Sequence, residues 1–297
     1  MRQWPPIDSR QYITAFELHS TVDCPPDFEL PSTLATFDAG IFLPRDDPDW
    51  FGRSSYPPRI LLLKDSALHL MSHPALRQPP SRWELDQISA VESGHLLLKG
   101  WLRFTGPGFD CAIRYNTRGS PPVYAFMRHF RTQLLKANSS SQWPGQWPAT
   151  KATSLDIKFT NALARELDSE DTVVMQFFQP PRQVQSGVWP LSRHRSIAGD
   201  LLALTPRRLL WITDRERGYY SRFGSIASYA PLDAVVSIGL RSSRSGDILQ
   251  VDLNSGSTWQ LPMASENREA NQRIADDFAE ALHLRNGASK TEIPRYL

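Results

Sequence analysis

The sequence predicts a mainly β protein with helix (β+α), built as two tandem copies of one small strand-rich domain. Each copy is closed by a C-terminal amphipathic helix. Three observations carry this expectation. Prolines number 24 and fall between short apolar runs, the punctuation of many short strands. Two long stretches of the chain match one another in order and polarity. Each stretch ends by changing from a two-residue to a helical period.

The first matching elements are hairpins. Arg59-Ile-Leu-Leu-Leu-Lys-Asp-Ser-Ala-Leu-His-Leu-Met-Ser-His73 aligns without a gap on Asp200–Asp214, at an offset of 141. Apolar positions 60, 61, 63, 68, 70 and 71 fall on 201, 202, 204, 209, 211 and 212. Both segments have a polar break in the middle, which predicts two short strands and a turn. Next, Leu85-Asp86-Gln87-Ile88 matches Leu232-Asp233-Ala234-Val235 at an offset of 147. Leu102 and Phe104 then match Leu249 and Val251, and alternation such as Leu249, Val251, Leu253 against Gln250 and Asp252 marks half-buried strands. The turns Thr105-Gly106-Pro107-Gly108 and Asn254-Ser255-Gly256 follow.

The closing helices share an offset of 148. Phe126, Phe130 and Leu134 correspond to Ile274, Phe278 and Leu282, each set on one helical face that must cover the strands before it. The expected domains are 1–137, with an N-terminal extension over 1–29, and 154–284. Between them lies a linker, 138–153, and after them a tail, 285–297. In the second domain a helix comes first, capped by Ser154 and apolar at Leu155, Phe159, Leu163 and Leu167.

Composition excludes several classes. With 33 basic and 31 acidic side chains the net charge is +2, so no nucleic-acid coat is expected. Two distant cysteines, Cys24 and Cys111, form neither a disulfide framework nor a zinc motif and point to a reducing, cytoplasmic compartment. The opening Met1-Arg2-Gln3-Trp4-Pro5-Pro6 lacks the apolar core of a secretory signal. No run approaches the roughly 20 apolar residues of a spanning helix. His69 and His73 stand four apart, but on a strand that places them about 13 Å apart, so no metal is expected. No phosphate-cradling GxxxxGK[ST] and no GxSxG elbow occurs. The expectation is a protein without catalysis and without a cofactor.

The element order, with hairpins like Leu201–Thr213, then Leu-Asp-x-Val, then a hairpin and one amphipathic helix ending near Leu282, resembles bacterial-type pleckstrin-homology (PH)-like domains. It is similar also to GRAM domains, which share the fold. The resemblance covers about residues 30–137 and 168–284. It implies two β-sandwich or barrel domains. Phe130 and Phe278 stand where eukaryotic PH domains usually have Trp, so the resemblance is to the broad superfold.

The family's ligand site is a basic loop between the first two strands. In the second copy this is about Pro180–Gly199, with Arg182, Arg193, His194 and Arg195. In the first copy Pro44–Pro58 carries Arg45 and Arg53 beside Asp46, Asp47 and Asp49, which cancel the field. From Arg182 to Arg222 eight arginines, including Arg207 and Arg208, face three acids. Such a set suits an anionic ligand if it converges. The first closing helix carries Arg128, His129, Arg131 and Lys136 outside, and the second carries Glu266, Glu269, Asp276, Asp277 and Glu280 against Arg268 and Arg273. Trp4, Trp50, Trp143, Trp147 and Trp189 fall in loops or the linker and are candidates to seal a junction. The expected function is a binding scaffold for a protein partner. The alternative is a peripheral adaptor that binds anionic lipid headgroups through Arg182, Arg193, His194, Arg195, Arg207 and Arg208.

Overall fold

The computed structural model describes residues 14–44, 57–73, 79–96, 99–117, 120–138, 155–168, 171–186, 193–214, 224–243, 246–263 and 267–287. It is mainly β, with three α-helices. In chain order the first half holds β1 (Phe16–Leu18), β2 (Ala39–Leu43), β3 (Arg59–Lys64), β4 (Ala67–Ser72), β5 (Ser81–Glu84), β6 (Ala90–Leu96), β7 (Lys99–Gly106), β8 (Phe109–Asn116) and α1 (Ser120–Ala137). The second half holds α2 (Ile157–Glu166), β9 (Met175–Gln179), β10 (Arg182–Ser186), β11 (Arg193–Ile197), β12 (Asp200–Leu204), β13 (Arg208–Thr213), β14 (Ser225–Pro231), β15 (Val235–Ser243), β16 (Gly246–Leu253), β17 (Thr258–Pro262) and α3 (Arg268–Gly287).

Strand registers repeat at the offsets read from the sequence. In the β3·β4 hairpin Ile60 pairs with Met71 and Leu63 with Leu68; in β12·β13 Leu201 pairs with Ile212 and Leu204 with Leu209. Leu68 faces Trp83 across β4·β5, as Leu209 faces Ala230 across β13·β14. Three-residue 3-10 turns at Leu85–Gln87 and Leu232–Ala234 follow, then strands, then a helix. The central runs Ile60–Leu63 and Leu201–Leu204 are buried throughout, so they read as continuous apolar segments rather than alternating ones. The two turns also match: Gly108 and Gly256 both sit at φ +80°, a left-handed conformation that glycine adopts without steric penalty.

Contacts divide the chain into two compact units. Unit 1 comprises residues 1–87, 95–102 and 112–137; unit 2 comprises 88–94, 103–111 and 138–297. The sequence reading divides the chain at 138–153; the compact units in addition place 88–94 and 103–111 with the second half.

In unit 1 one antiparallel sheet has the order β1-β2-β3-β4-β5. One of its faces packs Leu18, Phe42, Ile60, Leu62 and Met71 against Phe28 and Leu34. Helix α1 begins with Pro121 and Pro122 in its first turn, where the missing amide hydrogens break no intrahelical bond. Its Phe126, Phe130 and Leu134 are buried, as the helical period predicts. Arg131, expected on the outside of α1, is buried as well, because it falls on the inward side of the turn beside Phe130 and Leu134.

In unit 2 the strands β14-β13-β12-β9 are consecutive, and β6 is the neighbour of β14 on the other side. A separate sheet, β15-β16-β17, is covered by α3. Its Leu249, Val251, Trp259 and Leu261 pack with Leu202, Leu209 and Leu232 and with Phe278 of α3. Helix α2 is capped by Asp156, whose Oδ1 accepts from the amides of Lys158 at 2.7 Å and Phe159 at 3.2 Å. Ser154, the expected cap, lies outside the described residues. Phe159 and Leu163 bury the predicted apolar face, while Leu167 takes the C-cap.

Candidate functional site

The basic segment expected to be a loop is a hairpin. Strands β10 and β11 pair as a two-stranded antiparallel sheet, with Arg182 opposite Ile197, Val184 opposite Arg195, Gln185 opposite His194 and Ser186 opposite Arg193. Because side-chain positions alternate along a strand and paired residues share a face, this register puts positions 182, 193 and 195 on one face of the hairpin. Position 194 falls on the other. Residues 187–192, including Trp189, lie outside the described residues. So do Arg45, Asp46, Asp47, Asp49, Trp50 and Arg53 of the first copy, and Trp4, Trp143 and Trp147.

Arg207 and Arg208 belong elsewhere. The side chain of Arg208 has no exposed surface and forms ion pairs with Asp171 and, at 3.4 Å, with Asp168. Its Nη2 also donates to the Glu166 carbonyl at 2.9 Å, and its guanidinium lies 5.9 Å from the Tyr229 ring centroid. Arg207 reaches the other oxygen of Asp171 at 3.0 Å. Both arginines pair with carboxylates within unit 2 and tie the end of α2 to β13, Arg208 fully buried and Arg207 with 32 % of its side chain exposed. Asp168 and Asp171, which follow α2, supply the counter-charges to this pair of arginines.

A cleft of ≈ 560 Å³ opens in unit 2, and every residue that lines it belongs to that unit. One wall is aromatic. Trp211 of β13 and Trp259 of β17 lie 5.9 Å apart at 45°, and Phe109 is a further aromatic residue of the lining. Trp211 is fixed by donation from its indole N–H to Asp200 at 2.9 Å. The rim is polar, with Thr105, Ser255, Ser257 and Thr258; Ser255 and Ser257 hydroxyls lie 2.6 Å apart. Next to the lining residues Ala90 and Ser255, the Ser89 hydroxyl donates to the Asn254 side chain, and the Ser89 amide to the Thr105 carbonyl at 2.8 Å.

Charge in the cleft is largely self-contained. Arg103 donates two parallel bonds to Asp110, Nε to Oδ1 at 2.7 Å and Nη2 to Oδ2 at 2.5 Å. The Arg103 hydrogen bond holds the Asp110 carboxyl below the usual carboxylate range, and the same bond raises the guanidinium further. Glu92 is the other carboxylate in the lining. None of the three charged cleft residues, Glu92, Arg103 and Asp110, was singled out in the sequence. Arg103 and Asp110 stand on either side of the Gly106–Gly108 turn at the polar positions of alternating strands, which is the only signal that could have paired them.

Among the described residues no group of three or more His, Cys, Asp or Glu side chains is placed to hold a metal ion. His69 faces Arg82 across β4·β5, and His73 lies 4.0 Å from Asp27 and edge-on to Phe28. No helix among the described residues is long and apolar enough to cross a membrane. No family model matches the sequence, and no curated protein matches it.

Proposed function

We propose that this protein is a non-catalytic binding module of two PH-like copies, and that the cleft of unit 2 takes a segment of a protein partner. The observation that carries the reading is the make-up of that cleft: an aromatic lining of Trp211, Trp259 and Phe109 with a hydroxyl rim, and Arg103 closed on Asp110. Its volume lies within the roughly 300–1,000 Å³ typical of ligand sites. Aromatic surface beside fixed polar groups is the usual composition of an energetic hot spot. A bidentate Arg–carboxylate pair is a rigid recognition element and a poor proton donor, so the arrangement favours holding over turnover.

The test is selection of peptides from a displayed random library on the full chain. Peptides that bind wild type and lose about tenfold or more, roughly 1.4 kcal/mol, with Ser257→Arg on the rim are the expected result. Selected peptides that bind both proteins equally would place the site elsewhere.

A second reading has its own observation. The β10·β11 register gathers positions 182, 193 and 195 on one face, which suits an anionic headgroup at a membrane surface. Co-sedimentation with vesicles containing phosphatidylserine is expected to fade with salt and to be lost in Arg193→Ala/Arg195→Ala. Equal binding to purely neutral vesicles would sink this reading.

A further inference from the structure

The repeat makes one strand pairing in the chain a template for a second that the chain leaves open. In unit 2, β6 is the sheet neighbour of β14. At the offset of 147, β14 is the equivalent of β5 and β15 is the equivalent of β6. Yet β5 ends the order β1-β2-β3-β4-β5 and β15 ends the order β15-β16-β17. Among the described residues, therefore, both strands that correspond to a joined pair are sheet edges.

Exposure follows the same contrast. Ser89, beside the start of β6, is 1 % exposed, and Ala90, Val91, Ser93 and Gly94 are buried. Their equivalents on β15 include Val236 at 68 % exposed, with Ser237 and Arg241 also exposed. On the other side, Ser228, Tyr229 and Pro231 of β14 are buried, whereas Arg82 of β5 is exposed and Ser81 and Glu84 are half-buried. Val236 is one of three exposed large apolar side chains among the described residues, and it stands at the register shift between Val235 and Ser237 of β15.

We infer that β15 of one copy of this chain pairs with the β5 edge of a second copy, repeating between molecules the neighbourhood that β6 and β14 form in unit 2. A second copy is the occupant because it carries β5, the equivalent of the β14 strand that neighbours β6. Charged side chains are one of the devices that keep an open edge from pairing. Here Arg82 and Glu84 neutralise each other at 2.7 Å, so β5 offers no net charge against an incoming strand. Two different surfaces meet in this contact, so it closes into a ring or dimer, or continues as a filament, according to the rotation it imposes. The inference rests on the strand order and not on the cleft.

Sedimentation velocity on the full chain tests it, with mass followed as concentration rises. Assembly to a dimer or larger is expected for wild type. Gly239→Lys, on β15 where an added side chain meets open space, is expected to remain folded by circular dichroism and monomeric throughout. A mixed cross-link supplies the contact itself: in a Cys24→Ser/Cys111→Ser background, Arg82→Cys chains should join Gly239→Cys chains by disulfide only when both are present. A wild type that stays monomeric at every concentration, or an assembly indifferent to Gly239→Lys, would overturn the inference. Either outcome leaves the peptide selection on the cleft unaffected.

Discussion

The carboxylate of Asp171 has no exposed surface and sits between two guanidinium groups. Burial alone pushes its pKa up. The charge of Arg208, the Asp168 amide and the hydrogen bond and charge of Arg207 outweigh burial, and the group lies below its usual range. A carboxyl depressed in the folded state contributes stability that is fully present above its unfolded value, about 3.9, and is lost as pH falls through the folded one. Removing it strands the buried Arg208. Asp171→Asn is therefore expected to destabilise the protein by about 3–5 kcal/mol at pH 7 in urea unfolding, and the deficit should shrink toward pH 3. Asp171→Leu/Arg208→Met should recover most of the loss, since it removes both charges. A single variant as stable as wild type at pH 7 would show that the pair carries no such weight.

At the scale of elements, the hairpins were legible and the basic segment was not, for one reason. Ile60–Leu63 and Leu201–Leu204 announce buried strands by apolar content alone, and their shared register follows from the ungapped offset. Arg193-His194-Arg195-Ser196 carries no apolar alternation, so its strand is visible only through backbone pairing with β10. The start of α2 was misplaced for a different reason: Ser154 and Asp156 are both good caps two residues apart, and the sequence does not rank them. The closing helices were read correctly at their centres. Phe130 is 0 % exposed and Phe278 1 %. Phe130→Ala and Phe278→Ala are each expected to cost about 3–5 kcal/mol, measured by denaturant unfolding. A loss below about 1 kcal/mol at either site would mean that its helix is not a core element.

For the whole molecule, the cleft was hidden because it is assembled from three stretches and two single positions that are each unremarkable: 90–92, 103–110, 255–260, and 211 and 228. Each alone reads as strand or turn, and only tertiary pairing gathers Trp211 to Trp259. The same is true of the compact units. A polar, Pro-rich linker announces a boundary, but nothing local in 88–94 or 103–111 says that these residues pack with the second half of the chain.

That placement governs when the protein can finish folding. β6 ends at Leu96, whereas its neighbour β14 begins at Ser225. During synthesis the early strand emerges long before its mate exists, and closing so long a loop is what makes non-local sheets slow to form. Until β14 arrives, β6 is itself a bare template on a nascent chain, and crowded ribosomes on one message would offer it the wrong neighbour first. Yield of native protein should thus depend on elongation rate and chaperone supply more than on the final stability of either half.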